Sequence, residues 1–137
     1  MRQLRVFLLY ARRDEKMVHR VYQRLVREGA DVWLDQEKLF PGQDWAYEIR
    51  RAIHSSDIVI ACLSRQFTRQ GGYRHEELRI ALEKAVSLPE GSTFLIPTRL
   101  ETCDLPEPLR RWQCVDLFET DGYKKLIQVL KTETVLV

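Results

Sequence analysis

Two adjacent glutamates, Glu76 and Glu77, stand in a stretch that reads GGYRHEELRIALE over residues 71–83. At about 100° per residue the apolar side chains of such a helix form one stripe. Its members are Leu78, Ala81, Leu82 and Ala85. Glu76 falls nearly opposite the stripe, whereas Glu77 flanks it, one turn after Tyr73. The pattern therefore predicts a solvated Glu76 and a half-buried Glu77 near an aromatic ring.

A carboxylate in the position of Glu77 has two interpretations. It can stabilise the positive end of the helix dipole, which is worth about 0.3–1 kcal/mol at an exposed site. It can instead stabilise a cation-like sugar centre while Tyr73 stacks nearby. Glycoside hydrolysis normally uses two carboxylates, one of which protonates the leaving group. A leaving group that departs as a neutral base, such as the nicotinamide of NAD, does not need the second carboxylate, so both interpretations stay open.

Five short apolar runs are predicted to be strands, at residues 4–10, 30–35, 57–64, 92–100 and 114–118. Helical spacing predicts helices from Asp14 to Gly29, from 44 to 56, from the glutamate stretch to about Val86, and from 122 to 133. Asp14 and Asp44 are the expected N-caps. Strands that alternate with helices predict an α/β fold with a parallel sheet of about five strands.

In such a sheet, ligands bind beyond the carboxyl ends of the strands. Polar or aromatic residues follow the first three predicted strands: Tyr10, Ala11 and Arg12, then 35–38, then Ser64. The helix of Glu77 also leaves from the third strand. We therefore expect these segments to converge on one edge. Arg12 is either solvated or a phosphate ligand, and Trp33 and Trp45 are expected to pack in the core or against loops.

Composition narrows the function classes. The 22 basic and 20 acidic residues are interspersed, which disfavours a nucleic-acid surface. The apolar runs are too short for a membrane span or a signal peptide, so we expect a cytosolic protein without membrane partners. Cys62, Cys103 and Cys114 lack metal-site spacing and are expected to be reduced, with Cys62 in the core. We expect one domain over residues 1–137, with a core of roughly 4–133.

Four sequence blocks carry a family resemblance: VFLLYARRDE, DVWLDQEKLFPGQDWAYEIRRAIHSSDIVIACLS, GGYRHEELRIALE, and FLIPTRLETCDLP with CVDLF. Over roughly residues 4–130 they resemble the Toll/interleukin-1 receptor (TIR) domain family, and bacterial-type members most closely. The resemblance implies a flavodoxin-like three-layer sandwich whose five parallel strands have the order 2-1-3-4-5.

The resemblance also implies site residues. The catalytic glutamate of the family lies four residues after an aromatic, which makes Glu77 catalytic and Tyr73 the stacking residue. Residues 35–44 match the loop that lines the active site and contributes to assembly. The residues implied to border the nucleotide are Tyr10, Ala11, Arg12, Glu37, Lys38 and Phe40. The chain departs from the family pattern in having Tyr73 where Trp is common, and Leu9 where Ser is common.

The implied activity is cleavage of NAD+ to nicotinamide and ADP-ribose or a cyclic isomer, with NAD+ as substrate and no cofactor. The implied partners are other TIR domains in a homo-oligomer or filament, and a fused or partner sensor or effector domain, in bacterial immune signalling. A non-catalytic module that recruits other TIR domains is the alternative.

Overall fold

Five parallel strands form the sheet at the centre of the computed structural model, which describes residues 3–34, 40–69 and 75–135. The strand order is β2-β1-β3-β4-β5. The strands are β1 (Arg5–Leu9), β2 (Asp31–Trp33), β3 (Ile58–Leu63), β4 (Leu95–Arg99) and β5 (Val115–Asp116). This architecture confirms the predicted α/β, flavodoxin-like sandwich and its strand order.

The α-helices of the described residues flank the sheet: α1 (Glu15–Arg27), α2 (Trp45–Ser55), α3 (Arg65–Thr68), α4 (His75–Ser87) and α5 (Gly122–Val135). As predicted, Asp44 caps α2 by accepting a hydrogen bond from the Tyr47 amide at 3.1 Å. Gly29, with φ +96°, follows the end of α1. The four-residue α3 was not predicted, because one helical turn is too short for a periodic pattern. Among the described helices, none has the length and apolar character needed to cross a bilayer.

The hydrogen-bonded strands are shorter than the apolar runs that predicted them. Leu4, Tyr10 and Phe94 are buried, yet they lie just beyond the strand ends. Burial of side chains thus continues for one residue beyond these strands, and the carbonyls of Leu4 and Phe94 still accept hydrogen bonds from the Asp31 and Val59 amides. For this reason an apolar run overestimates strand length at both ends.

Side chains that alternate along the strands supply two cores, one on each face of the sheet. Val6 and Leu8 pack with residues of α1 and α5, whereas Phe7 and Leu9 pack with residues of α2, α3 and α4. All six residues of β3 are buried, as expected of a central parallel strand. Cys62 lies in this strand, where burial raises the pKa of its thiol, and this confirms its prediction as a core residue.

Pro97 lies in β4 opposite Ala61 of β3. The Leu100 amide donates to Leu63 of β3, and the Arg99 carbonyl accepts from Leu117, next to β5. Backbone groups two residues apart face the same neighbour, so the Pro97 nitrogen faces the β5 side. Because proline has no N–H, it cannot donate to a strand there. Within the described residues, β5 pairs with Thr98 and Arg99 of β4 alone.

Candidate functional site

The two glutamates of α4 lie in different environments. Glu76 is exposed and bonds to Arg79 at 2.6 Å, and Arg79 also pairs with Glu83. Arg79 chiefly, and then Arg50 of α2, lowers the pKa of Glu76. Glu77 is only 3% exposed. The helical phase therefore separated the pair correctly, but Glu77 is more deeply buried than the predicted half.

The buried face of α4 is rotated relative to the predicted stripe. Its fully buried residues are Glu77, Leu78, Ile80 and Ala81, whereas Leu82 and Ala85 are only partly buried. The helix contacts both α2 and β4, so it is covered on two sides. A single stripe from one helix could not reveal the second contact. Glu77 lies close to the middle of the face that results.

Burial helps to weigh the two interpretations of Glu77. An interaction with the helix dipole is worth about 0.3–1 kcal/mol at an exposed position. Removing a carboxylate from water costs several kcal/mol before compensating contacts are counted. A carboxylate need not be buried to stabilise the start of α4, because the exposed Glu76 already places a negative charge in the same first turn. The burial of Glu77 thus favours a role beyond the helix dipole.

Helix α2 lies beside α4, and the contacts between the two helices show at which end of the sheet Glu77 lies. The Lys84 ammonium donates to the carbonyls of His54 at 2.7 Å and Ser56 at 2.9 Å, at the end of α2. Both helices run opposite to the strands, as crossover helices of a parallel sheet do. Glu77 lies seven residues before Lys84, about 10 Å along the axis at 1.5 Å per residue. It therefore lies toward the start of α2, on the carboxyl side of the sheet.

The three side chains after β1 lie in three different environments. Tyr10 is buried and packs in the core of α1 and α5, on the face of the sheet away from Glu77. Ala11 is buried in the core of α2 and α4. Arg12 is exposed and makes no ion pair with any residue that the structure describes. Ala11 and Arg12 are thus placed at the expected edge, while the Tyr10 side chain extends into the opposite layer.

Of the residues predicted from the loop, Glu37 and Lys38 lie outside the described residues, as does Tyr73. Phe40 is described and is 72% exposed. It begins a turn in which its amide donates to Gln43 Oε1 at 2.7 Å, and its carbonyl accepts from the Gln43 amide. Gly42 has φ +90°, as expected of a Pro-Gly turn. Trp45 is 44% exposed, so it does not lie in the core; it is the first residue of α2, next to the Asp44 cap.

A buried polar pair at the same edge was not predicted. Asp14 occupies the N-cap position of α1, as predicted, but its side chain makes no capping hydrogen bond to that helix. Its carboxylate instead accepts a hydrogen bond from the hydroxyl of Ser64, the residue after β3. Burial raises the pKa of Asp14. The sequence predicted Ser64 at the carboxyl edge and Asp14 only as the start of a helix, because a bond between residues 50 positions apart has no local signal.

A cavity of about 360 Å³ lies away from this edge, between α2 and the amino ends of β1 and β2. Arg5, Asp31 and Ser55 line it, so it is separate from the region of Glu77. Across residues 3–34, 40–69 and 75–135, no group of three His, Cys, Asp or Glu side chains is placed to hold a metal ion.

Comparison with known proteins identifies relatives of the fold. The chain has a TM-score of 0.71 and 20% identity with the TIR domain of the Toll-related receptor TRR-2 from Hydra magnipapillata, covering 92% of this chain and 97% of that one. For a prokaryotic SEFIR domain the TM-score is 0.68 at 21% identity, and the match covers 93% of this chain and 99% of that one. For a CMP N-glycosidase from Clostridium botulinum, BcmB, the TM-score is 0.58 at 17% identity, and the match covers 91% of this chain and 98% of that one.

The TIR domains of the activated Roq1 resistosome, which directly recognises the pathogen effector XopQ, give a TM-score of 0.67 at 19% identity, covering 95% of this chain and 99% of that one. In sequence, the chain is 29% identical over 124 residues to an uncharacterized protein, y4cD, of Sinorhizobium fredii. That match covers 89% of this chain but 19% of the relative, so the chain spans about a fifth of that protein. The TIR domain family model matches residues 6–128, and the chain therefore belongs to the TIR domain family.

Proposed function

We propose that this TIR domain cleaves the bond between nicotinamide and ribose in NAD+, with Glu77 as its catalytic carboxylate. The observation that carries the proposal is the burial of Glu77 at the carboxyl edge of the sheet, next to an exposed Glu76 in the same turn. Parallel α/β sheets bind ligands at this edge. A buried carboxylate acts on a developing positive charge more strongly than a solvated one, because little water screens it.

The chemistry requires one carboxylate. The bond between ribose C1′ and the pyridinium nitrogen breaks, and its electron pair stays with nicotinamide, which leaves as a neutral molecule. Glu77 stabilises the oxocarbenium-like ribose that remains. Water then adds at C1′ and loses a proton, so that NAD+ and water give ADP-ribose, nicotinamide and H+. Attack by an atom of the adenosine part of the same molecule would give a cyclic isomer. NAD+ is the substrate, and no further cofactor enters the balance.

The remaining residues have binding roles in this proposal. Arg12 has an exposed guanidinium, whose geometry suits phosphate, and Ala11 offers main-chain groups beside it. Tyr73 would stack on a ring, and Glu37, Lys38 and Phe40 would cover the nucleotide. Tyr10 would contribute through its backbone, because its side chain is buried in the other layer. The fold is shared with a CMP N-glycosidase, which supports N-glycosidic cleavage as the reaction class.

Exposed aromatic residues support assembly as part of the same function. Phe40, Trp45 and Tyr47 are 72%, 44% and 54% exposed, and they surround the start of α2. We propose that this surface associates with other TIR domains, within a cytosolic immune signalling protein that also carries a sensor or effector partner. The same exposure favours the second candidate function, a TIR module that recruits partners without catalysis.

The test compares nicotinamide release by the wild type, Glu77→Gln and Glu76→Gln at high protein concentration. Both substitutions remove one negative charge from the same helical turn, so Glu76→Gln is a matched control for charge. We expect release to fall by at least about 100-fold in Glu77→Gln, the scale of a lost electrostatic contribution to a transition state. Glu76→Gln should stay within about twofold of the wild type, because its partner Arg79 is also exposed.

Three outcomes would change the proposal. Equal release by all three proteins would remove Glu77 from the mechanism. Loss in Glu76→Gln alone would assign the catalysis to the other glutamate. A wild type that associates through Phe40 and Trp45 but leaves NAD+ intact would establish the recruiting module instead.

A further inference from the structure

A buried carboxylate and a buried hydroxyl join the ends of β1 and β3. Asp14 is 4% exposed and Ser64 is fully buried, and the Ser64 hydroxyl donates a hydrogen bond to Asp14 Oδ2. The two residues are 50 positions apart in the sequence, so the bond is a tertiary contact. Because β1 and β3 are neighbours in the sheet, this Asp14–Ser64 pair ties the corner after one strand to the segment after the other.

Asp14 makes this contact instead of capping α1. An aspartate that caps a helix contributes about 1 kcal/mol, yet the Asp14 side chain accepts no hydrogen bond from the first turn of α1. Burial raises the pKa of Asp14, the hydrogen bond from Ser64 lowers it, and the nearby Glu101 carboxylate raises it again. A buried carboxylate needs hydrogen bonds to be tolerated, and Ser64 supplies one.

The start of α3 is held from two sides. Ser64 Oγ accepts a hydrogen bond from the Phe67 amide at 3.1 Å, so the same hydroxyl caps α3 and bonds to Asp14. On the other side the Glu101 carboxylate, which follows β4, accepts from the Arg65 amide at 2.8 Å. A helix of four residues has little stability of its own. Its position is therefore set by these contacts with the corner after β1 and the segment after β4.

We propose that the Asp14–Ser64 pair positions the two sides of the site proposed above. On one side is the corner that carries Ala11 and Arg12, and on the other is the segment through which the chain passes from β3 to α4 and Glu77. The Asp14 carboxylate and the Ser64 hydroxyl bond to each other, so we assign them a positioning role and not contact with substrate. The proposal rests on the proposed function, because displacement of about 1 Å between substrate-binding and reacting groups can cost about 100-fold in rate.

The variants separate the hydrogen bond from the charge. Ser64→Ala removes the bond, and we expect kcat/KM for nicotinamide release to fall by at least about tenfold. Asp14→Asn removes the charge but keeps an oxygen that can accept from Ser64, so it should stay within about threefold of the wild type. Asp14→Ala removes the acceptor as well and should resemble Ser64→Ala.

Ser56→Ala is the matched control for lost stability. Ser56 is also a buried serine, and its hydroxyl donates to the Ala52 carbonyl at 2.6 Å, but it lies at the opposite end of the sheet. If Ser64→Ala and Ser56→Ala lower the unfolding midpoint equally and impair release equally, the pair is merely structural and the proposal is overturned. Loss of activity with Asp14→Asn as large as that with Asp14→Ala would also overturn it, since the hydrogen bond would then not be the cause.

Hydrogen exchange distinguishes failure of this proposal from failure of the proposed function. In Ser64→Ala the amides of residues 11–14 and of 65–69 should both exchange about tenfold faster, as expected for loss of one buried hydrogen bond between them. Ser56→Ala should leave both segments unchanged. If the wild type releases no nicotinamide, the proposed function fails, and exchange alone decides whether the pair couples the two segments. Faster exchange at 65–69 without a change at 11–14 would refute the coupling.

Discussion

Lys84 joins α4 to α2, and its replacement by methionine tests how strongly that contact holds the helix of Glu77. The Lys84 ammonium donates to the carbonyls of His54 and Ser56 and lies 4.5 Å from the centroid of the Phe94 ring. Methionine keeps most of the aliphatic chain, so packing along the stem is largely preserved. The substitution therefore removes the charged head with little else.

The expected loss follows from these contacts. A hydrogen bond to a charged group is worth about 1.5–3 kcal/mol, but water can replace the ammonium at the exposed His54 carbonyl, so mainly the bond to Ser56 counts. The cation–π contact with Phe94 adds about 0.5–1 kcal/mol. Burial lowers the pKa of Lys84, which means that holding the charge there costs free energy, and methionine removes this cost. The net loss should be about 2 kcal/mol.

Urea unfolding of the wild type and Lys84→Met at pH 7 measures this difference. Lys125→Met is the matched control, because Lys125 of α5 is exposed and pairs at 3.4 Å with Asp121, the residue just before that helix. It should cost no more than about 0.5 kcal/mol. If Lys84→Met lowers the free energy of unfolding by no more than Lys125→Met does, the bonds to α2 do not hold α4 and the reasoning is wrong.

Three further predictions concern other parts of the fold. A Cβ on Gly122 would lie 2.0 Å from the Asp116 carbonyl oxygen, so Gly122→Ala should lower the free energy of unfolding by about 2 kcal/mol, and an unchanged melting temperature would contradict this. The Arg99 guanidinium lowers the pKa of Asp116 below its usual 3.8, so the stability from this pair is present above about pH 4 and is lost as the pH falls through the folded-state pKa. Asp116→Asn should therefore lower the free energy of unfolding by about 1 kcal/mol at pH 7 and by less below about pH 4. Urea titrations that give the same loss at pH 7 and in acid would refute the assignment. Burial and the nearby Asp116 carboxylate raise the pKa of the Cys114 thiol to about 11, and burial raises the pKa of the Cys62 thiol. At pH 8 a thiol reagent should therefore modify both cysteines only slowly until the protein unfolds.

The sheet was predictable from sequence because its signals are local. An apolar run such as IVIACL in β3 can be recognised without knowing its neighbours, and Asp44 and Gly29 mark helix ends through bonds and dihedral angles within one turn. The ends of the strands were less predictable. Tyr10 and Phe94 continue the apolar pattern and are buried, although β1 ends at Leu9 and β4 begins at Leu95.

The site was predictable only in part, because its contacts join distant segments. Helical phase alone separated Glu76 from Glu77, but the depth of burial of Glu77 depends on the elements packed against α4, and the periodicity of α4 does not identify them. Asp14 shows the limit most clearly. A polar residue before a helix predicts a cap, whereas its actual partner, Ser64, becomes a neighbour only when β1 and β3 pair.

Pro97 has a consequence for how copies of this domain can meet. The edge strands of the sheet are β2, with three residues, and β5, with two. On the β5 side, Pro97 of β4 has no N–H, so β4 lacks the donor that a longer β4–β5 ladder would use. Short edges offer an incoming strand few hydrogen bonds, which disfavours the edge-to-edge aggregation to which sheets are prone. The domain can therefore be crowded at high local concentration with little tendency to form intermolecular sheets, and contact between copies is left to side chains on its helices and loops.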